Sequence, residues 1–158
     1  MIRAAKFSDI PRMVDLLHEM HAASKYAGKV DVSRKAAHAL MQQCVTRHGG
    51  QHEGGALVMV AEHDGQVEGF IVGMLDRVYH IGDRLASNDV YLYVTDAASK
   101  LDVRRLLDAY VEWASGNPKV FEIRLSWTDT MEGAEKIGDL YEKMGFRRCG
   151  AIYERGAV

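Results

Sequence analysis

The chain has 158 residues, 47% of them apolar, enough for a single domain over residues 1–158 to bury a core without disulfides or metal. Its 20 basic and 22 acidic residues leave a net charge of −2, which disfavours nucleic acid as a partner beyond a local patch. Cys44 and Cys149 lack Cys-x-x-Cys spacing, the start Met1-Ile2-Arg3-Ala4-Ala5-Lys6 has no apolar h-region, and no run approaches the roughly 18 apolar residues of a membrane span. The expectation is a cytoplasmic protein with reduced thiols, away from membranes.

Residues 2 to 6 read as a short strand, followed by Ser8 as an N-cap, a helix from about Asp9 and Pro11 in its first turn. Ile10, Met13, Val14 and Leu17 make its buried stripe. A second helix starts near Ser33, burying Ala37, Leu40, Met41, Cys44 and Val45, and frays into a glycine-rich stretch, 47–55, expected to be a flexible loop. Leu57 to Glu62 and Val67 to Leu75 are β-rich runs joined by His63-Asp64-Gly65-Gln66, a hairpin signal. In Val90 to Val94, strict alternation puts Tyr91 and Tyr93 on one face, together with Asp89, and the aliphatic residues on the other. Val103, Leu106, Leu107, Tyr110, Val111 and Ala114 repeat at helical spacing until Gly116-Asn117-Pro118. Val120 to Trp127 alternates again, with Glu122 and Arg124 sharing one face. A last helix runs from about Gly133 to Met144, and Phe146 to Glu154 reads as a final strand or hairpin.

This order is a mixed α+β arrangement around one sheet. It resembles the GNAT superfamily of N-acetyltransferases along essentially the whole chain. The most specific segment is Leu140-Tyr141-Glu142-Lys143-Met144-Gly145-Phe146, which is similar to that family's "LYEKLGF" stretch; Ile2-Arg3-Ala4-Ala5 with Ser8-Asp9-Ile10 resembles its usual start. Met20-His21-Ala22-Ala23-Ser24, Trp113-Ala114 and Tyr141 to Phe146 also resemble short GNAT-like proteins of bacteriophages and prophages. The resemblance implies the acyl-CoA N-acyltransferase fold: a central, mostly antiparallel mixed sheet flanked by helices.

It also implies acetyl-CoA as cosubstrate, an amine-bearing small molecule or protein amine as acceptor, and direct attack in a ternary complex. Tyr141 matches the phenol that often protonates the departing thiolate, and Glu122, in Phe121-Glu122-Ile123-Arg124, matches a general base of some members. Read as residues alone, Tyr141 also fits an inward helical stripe, and Glu122 a salt bridge to Arg124. Backbone groups of Tyr93 and Val94 would hold the pantetheine arm. For the phosphates the family's segment is rich in glycine, whereas Thr95 to Arg105 has none; Ser99, Lys100, Val103 and Arg104 are the candidate cofactor residues there, and Asp96 and Asp102 place negative charge beside an anionic ligand.

Ser126 to Glu132 lengthens the loop after Glu122, and the family's usual Asn is absent. Asp89 and Tyr91, with Asp76, are placed to favour a cationic amine. No histidine set is completed as a metal site. The acceptor side is expected from the first two helices and loops such as 46–56, leaving small amines, protein N-termini, lysines and antibiotics open. A homodimer paired through sheet edges also stays open, as does a non-catalytic GNAT-fold binding or assembly role, phage-encoded or not.

Overall fold

Strand alternation sorts the apolar residues onto two sheet faces, and each face is closed by one pair of helices. In the computed structural model, which describes residues 1–157, one sheet holds β1 (Ile2–Ala4), β2 (Ala56–His63), β3 (Gln66–Arg77), β4 (Leu85–Val94) and β5 (Val120–Arg124) in chain order. The first four strands pair antiparallel, and β5 joins β4 in parallel. Helices α1 (Ile10–Ala22) and α2 (Arg34–Thr46) bury Met13, Leu16, Leu17 and Met41 against Val58, Val60, Phe70 and Val72. On the other face α3 (Lys100–Ser115) and α4 (Glu135–Lys143) bury Leu106, Leu107, Tyr110 and Tyr141 against Leu57, Ala61 and Ile71.

Local signals explain most of these boundaries. The Asp64-Gly65 turn takes positive φ at both residues, 50° and 78°, which suits the twist of a two-residue hairpin. Ser33 caps α2 by accepting the Ala36 N–H at 3.2 Å. Ser8, by contrast, lies inside a 3-10 turn, Phe7–Asp9, and the cap of α1 is Asp9. The Asp9 carboxylate is taken by Arg3 (2.8 and 3.0 Å) and the Lys6 N–H (2.7 Å), which ties β1 to the start of α1 and moves the boundary by one residue. Strand β4 begins five residues before the sequence suggests, because Leu85 to Asp89 carries small and polar residues that pair well while showing little β-propensity. The expected final strand does not form. Arg147, Arg148 and Gly150 interrupt its apolar alternation, and only Phe146 packs inward while Ile152 and Tyr153 are 79% and 93% exposed.

The most consequential irregularity is in β4. Val72 lies opposite Tyr91, but the next residue, Gly73, lies opposite Asp89, so Val90 is an extra, bulged residue. Alternation restarts there. Asp89 therefore faces α3 with Gly73, and not the side of Tyr91 and Tyr93, which corrects the strict-alternation reading.

The glycine-rich stretch 47–55 is stitched to the sheet: Gly49 N–H donates to Ala56 O (2.8 Å), Gly54 N–H to Leu75 O (2.9 Å) and Leu75 N–H to Gly55 O (2.9 Å). His48 joins in by accepting the Val58 N–H on Nδ1 at 2.9 Å, so this ring is neutral with its proton on Nε2. Burial lowers its pKa from the ordinary 6.5. The unfolded chain thus binds the extra proton first: His48 contributes fully above about pH 6.5 and the contribution is lost as pH falls toward the folded-state value. Melting temperatures from pH 7.5 to 5 should fall more steeply for the wild type than for His48→Gln, whose amide oxygen can still accept the Val58 N–H. Parallel curves would exclude His48 as a source of acid lability.

Candidate active site

The bulge and the shortness of β5 open the sheet. β5 pairs with β4 only over Leu85 to Asn88, and beyond Arg124 it ends; β4 continues to Val94 with β3 as its only strand partner. The two parallel strands therefore part at Asp89 and Leu125, leaving a fork whose β4 side carries unpaired main-chain groups.

Three residues meet at the apex of the fork. The Asp89 carboxylate accepts the Ser126 N–H (3.1 and 3.2 Å) and the Ser126 hydroxyl (2.9 Å), and the Ser126 carbonyl accepts the Tyr141 hydroxyl (3.2 Å). Tyr141 arrives on α4, 6% exposed and packed against Phe146, with ring centroids 6.5 Å apart. Burial pushes the Asp89 carboxyl above the usual carboxylate range, against the Ser126 donors that favour its charge. The Tyr141 phenol is pushed up too, first by burial and then by the charge of Asp89. Beneath them Tyr110 donates to Arg124 O (2.7 Å) and bonds Ser87 Oγ (3.0 Å), fixing the floor where the strands separate.

Two cavities flank β4 on the α1 side. One, about 370 Å³, is lined mainly by apolar residues of α1 and α2, among them Leu17, Met20 and Leu40, together with Tyr26 and Tyr91. Of the loops, the α1–α2 connection (Ser24, Tyr26, Val32) and Thr130 line this cavity, and the 46–56 stretch does not. The other, about 610 Å³, lies at the end of β4 between Arg12, Glu68, Tyr93, Thr95, Asp96 and Met131. The long loop after β5 crosses between them: Ser24 bridges Met131, Lys25 N–H donates to Thr130 O (2.9 Å), and Lys25 Nζ pairs with Asp129 and Glu154 at 2.6 Å each.

The residues singled out in the sequence are only partly brought together. Tyr93 and Val94 end β4 at the open edge. Tyr141 reaches the apex, whereas Glu122 is ion-paired with Arg124 behind the point where the strands part. Ser99, Lys100, Val103 and Arg104 share the first turns of α3, but Val103 packs into the core and Arg104 turns to Asp108 at 2.8 Å. Asp89 and Ser126 were not legible as a pair, because the bulge that unites them has no residue signature.

The start of α3 is closed on itself. Ser99 N–H and Oγ–H donate to Asp102 Oδ2 (2.9 and 2.8 Å), and Asp102 N–H donates to Ser99 Oγ (3.2 Å), a reciprocal capping box. His63 Nε2 reaches the same Asp102 oxygen at 2.8 Å. The open β4 edge thus fits the amide-bearing pantetheine arm of coenzyme A, while the start of α3 has only its Lys100 and Leu101 amides open to a diphosphate.

Neither a family model nor a curated protein matches the sequence. Solved structures do match over its whole length. Glucosamine-6-phosphate N-acetyltransferase from Arabidopsis thaliana superposes with a TM-score of 0.71 at 12% identity, covering 100% of this chain and 98% of that one. Ribosomal-protein-alanine N-acetyltransferase from Brucella melitensis gives 0.69 at 18% identity over 99% and 97%. A predicted acetyltransferase from Clostridium acetobutylicum, solved with acetyl-CoA, gives 0.71 at 15% identity over 99% and 95%. The fold is that of GNAT-type acetyltransferases.

Proposed function

We propose that this chain, built on the GNAT acetyltransferase fold, is an N-acyltransferase that moves an acetyl group from acetyl-CoA to a primary amine by direct attack. The observation that carries the reading is the fork between β4 and β5 with Asp89, Ser126 and Tyr141 joined at its apex. Acetyl-CoA supplies the activated acyl group. The unpaired β4 edge at Tyr93 and Val94 offers main-chain partners to its arm, and the cavity at Tyr91 offers the amine an approach from α1 and α2.

An acceptor ammonium must lose a proton to attack, and the leaving sulfur must gain one. Asp89, whose proton affinity is raised by burial, is suited to the first task, since a base is most effective when its pKa approaches the working pH. Tyr141 is suited to the second, by turning its hydroxyl from the Ser126 carbonyl. Glu122, held by Arg124 behind the fork, is the less favoured base. The N-acetyltransferase activities in the names of two neighbours, one on a sugar phosphate amine and one on a protein alanine, support an amine as the acceptor class.

Thermal stability measured with acetyl-CoA tests this reading. At 100 times its Kd a ligand adds about 2.7 kcal/mol to the native state, so a clear rise in melting temperature is expected. A second reading, a non-catalytic binding or assembly role, is favoured by the Lys25-held loop across the fork. No shift with millimolar acetyl-CoA would select it.

A further inference from the structure

We infer that the acyl donor is recognised through its pantetheine arm alone, the 3′-phospho-ADP half of coenzyme A contributing no affinity. This rests on the acyltransferase reading above and narrows it to a donor class, a pantetheine thioester.

A helix start binds phosphate because its first N–H groups lack partners and its dipole favours negative charge. In α3 both resources are partly used. The Ser99 and Asp102 N–H groups serve the capping box, which leaves those of Lys100 and Leu101, and in the preceding turn Ala97 N–H donates to Thr95 Oγ1 (3.2 Å) and Ala98 N–H to Thr95 O (3.1 Å). Thr95 Oγ1 in turn donates to Glu68 Oε2 at 2.6 Å, so the turn is fixed from the β3 side.

Asp102 supplies the negative charge that the dipole favours. It is 1% exposed, and although burial works against its charge, the Ser99 donors and His63 hold its carboxyl down to about 2. Its Oδ1 has no hydrogen-bond partner, and Arg105 Nη1 stays 3.8 Å away, so the charge is incompletely neutralised. Asp96 and Glu68 add further negative charge at the mouth of the neighbouring cavity. Of the nearby cations Arg104 is committed to Asp108, and Arg12 to Glu19 and Glu68, leaving the exposed Lys100 and Arg105. A diphosphate placed here would find only the Lys100 and Leu101 amides open, beside the buried charge of Asp102.

The β4 edge differs. From Asp89 to Val94 it has strand pairing on one side only, and an extended chain with two amides can pair with it as an added strand does.

Calorimetric titration of the wild-type protein with acetyl-CoA, acetyl-pantetheine and 3′,5′-ADP tests the inference. Acetyl-CoA and acetyl-pantetheine should bind with Kd values within threefold of each other, and millimolar 3′,5′-ADP should not compete. Acetyl-CoA binding tenfold or more tighter, or competition by 3′,5′-ADP, would overturn it. Binding of neither donor is a different result, which removes the acyltransferase reading itself. In Asp102→Asn, shown folded by circular dichroism, loss of the charge should favour acetyl-CoA over acetyl-pantetheine by threefold or more. An unchanged ratio would overturn the role given to Asp102.

Discussion

Asp89→Asn and Tyr141→Phe should each lower turnover by about 10²-fold or more, the range of general acid–base effects, while acetyl-CoA affinity changes little. Both replacements keep shape and remove one proton-transfer capacity. The amide introduced by Asp89→Asn can still accept from Ser126, and the ring kept by Tyr141→Phe still fills the space against Phe146, so the fork should persist. Glu122→Gln is the informative comparison, expected to leave turnover within a few-fold because its carboxylate faces Arg124. The acid limb of the kcat/KM profile should lie above the ordinary carboxylate range, since burial raises Asp89, and it should vanish in Asp89→Asn. Below its pKa Asp89 is protonated and cannot accept a proton, so activity is lost as pH falls. Undiminished turnover in either variant removes that residue from the mechanism, and a collapse in Glu122→Gln restores Glu122 as base.

A large stability effect is expected at Gly73. A Cβ there would stand 2.5 and 2.7 Å from Cε2 and Cδ2 of Tyr110 and 3.3 Å from the Trp113 ring. Tyr110 cannot give way easily: it is fully buried, and its hydroxyl is bound to Arg124 O and Ser87 Oγ. Overpacking of this kind costs about 1–3 kcal/mol, and the rigidity of the ring puts Gly73→Ala at the upper end. At this chain length each kcal/mol moves the melting temperature by about 2–4 °C. A fall of about 5–10 °C is expected for Gly73→Ala, against almost none for Gly150→Ala, where an added Cβ meets nothing within 4 Å. Equal melting temperatures for the two variants would show that Tyr110 can move aside.

Much of this fold is written locally. The hairpin at Asp64-Gly65, the cap at Ser33 and the stripes of α1 and α3 follow from short-range sterics and periodicity, and the α4 segment carried the family likeness. The site is less legible, because its decisive event is not local. Val90 looks like any strand valine; only its pairing with β3 shows that it is the inserted residue and that Asp89 has changed faces. Ser126 shows no sign of its role either, since it gains Asp89 and Tyr141 as partners only once β5 stops and α4 folds back. The closure of α3 was half visible. Ser99-x-x-Asp102 has capping-box spacing, but nothing near it announces His63, which arrives from the far end of β2.

The bulge at Val90 also says how little separates two readings of one strand. Were Val90 drawn into the regular pleat, Asp89 would turn to the side of Tyr91 and Tyr93, away from Ser126 and Tyr141; left out of the ladder, it lets Asp89 stand opposite Gly73 on the α3 side. No residue need be gained or lost for that change. The carboxylate at the apex thus depends on which valine the ladder skips, a choice of pairing that substitutions elsewhere along β3 and β4 can tip without touching Asp89 itself.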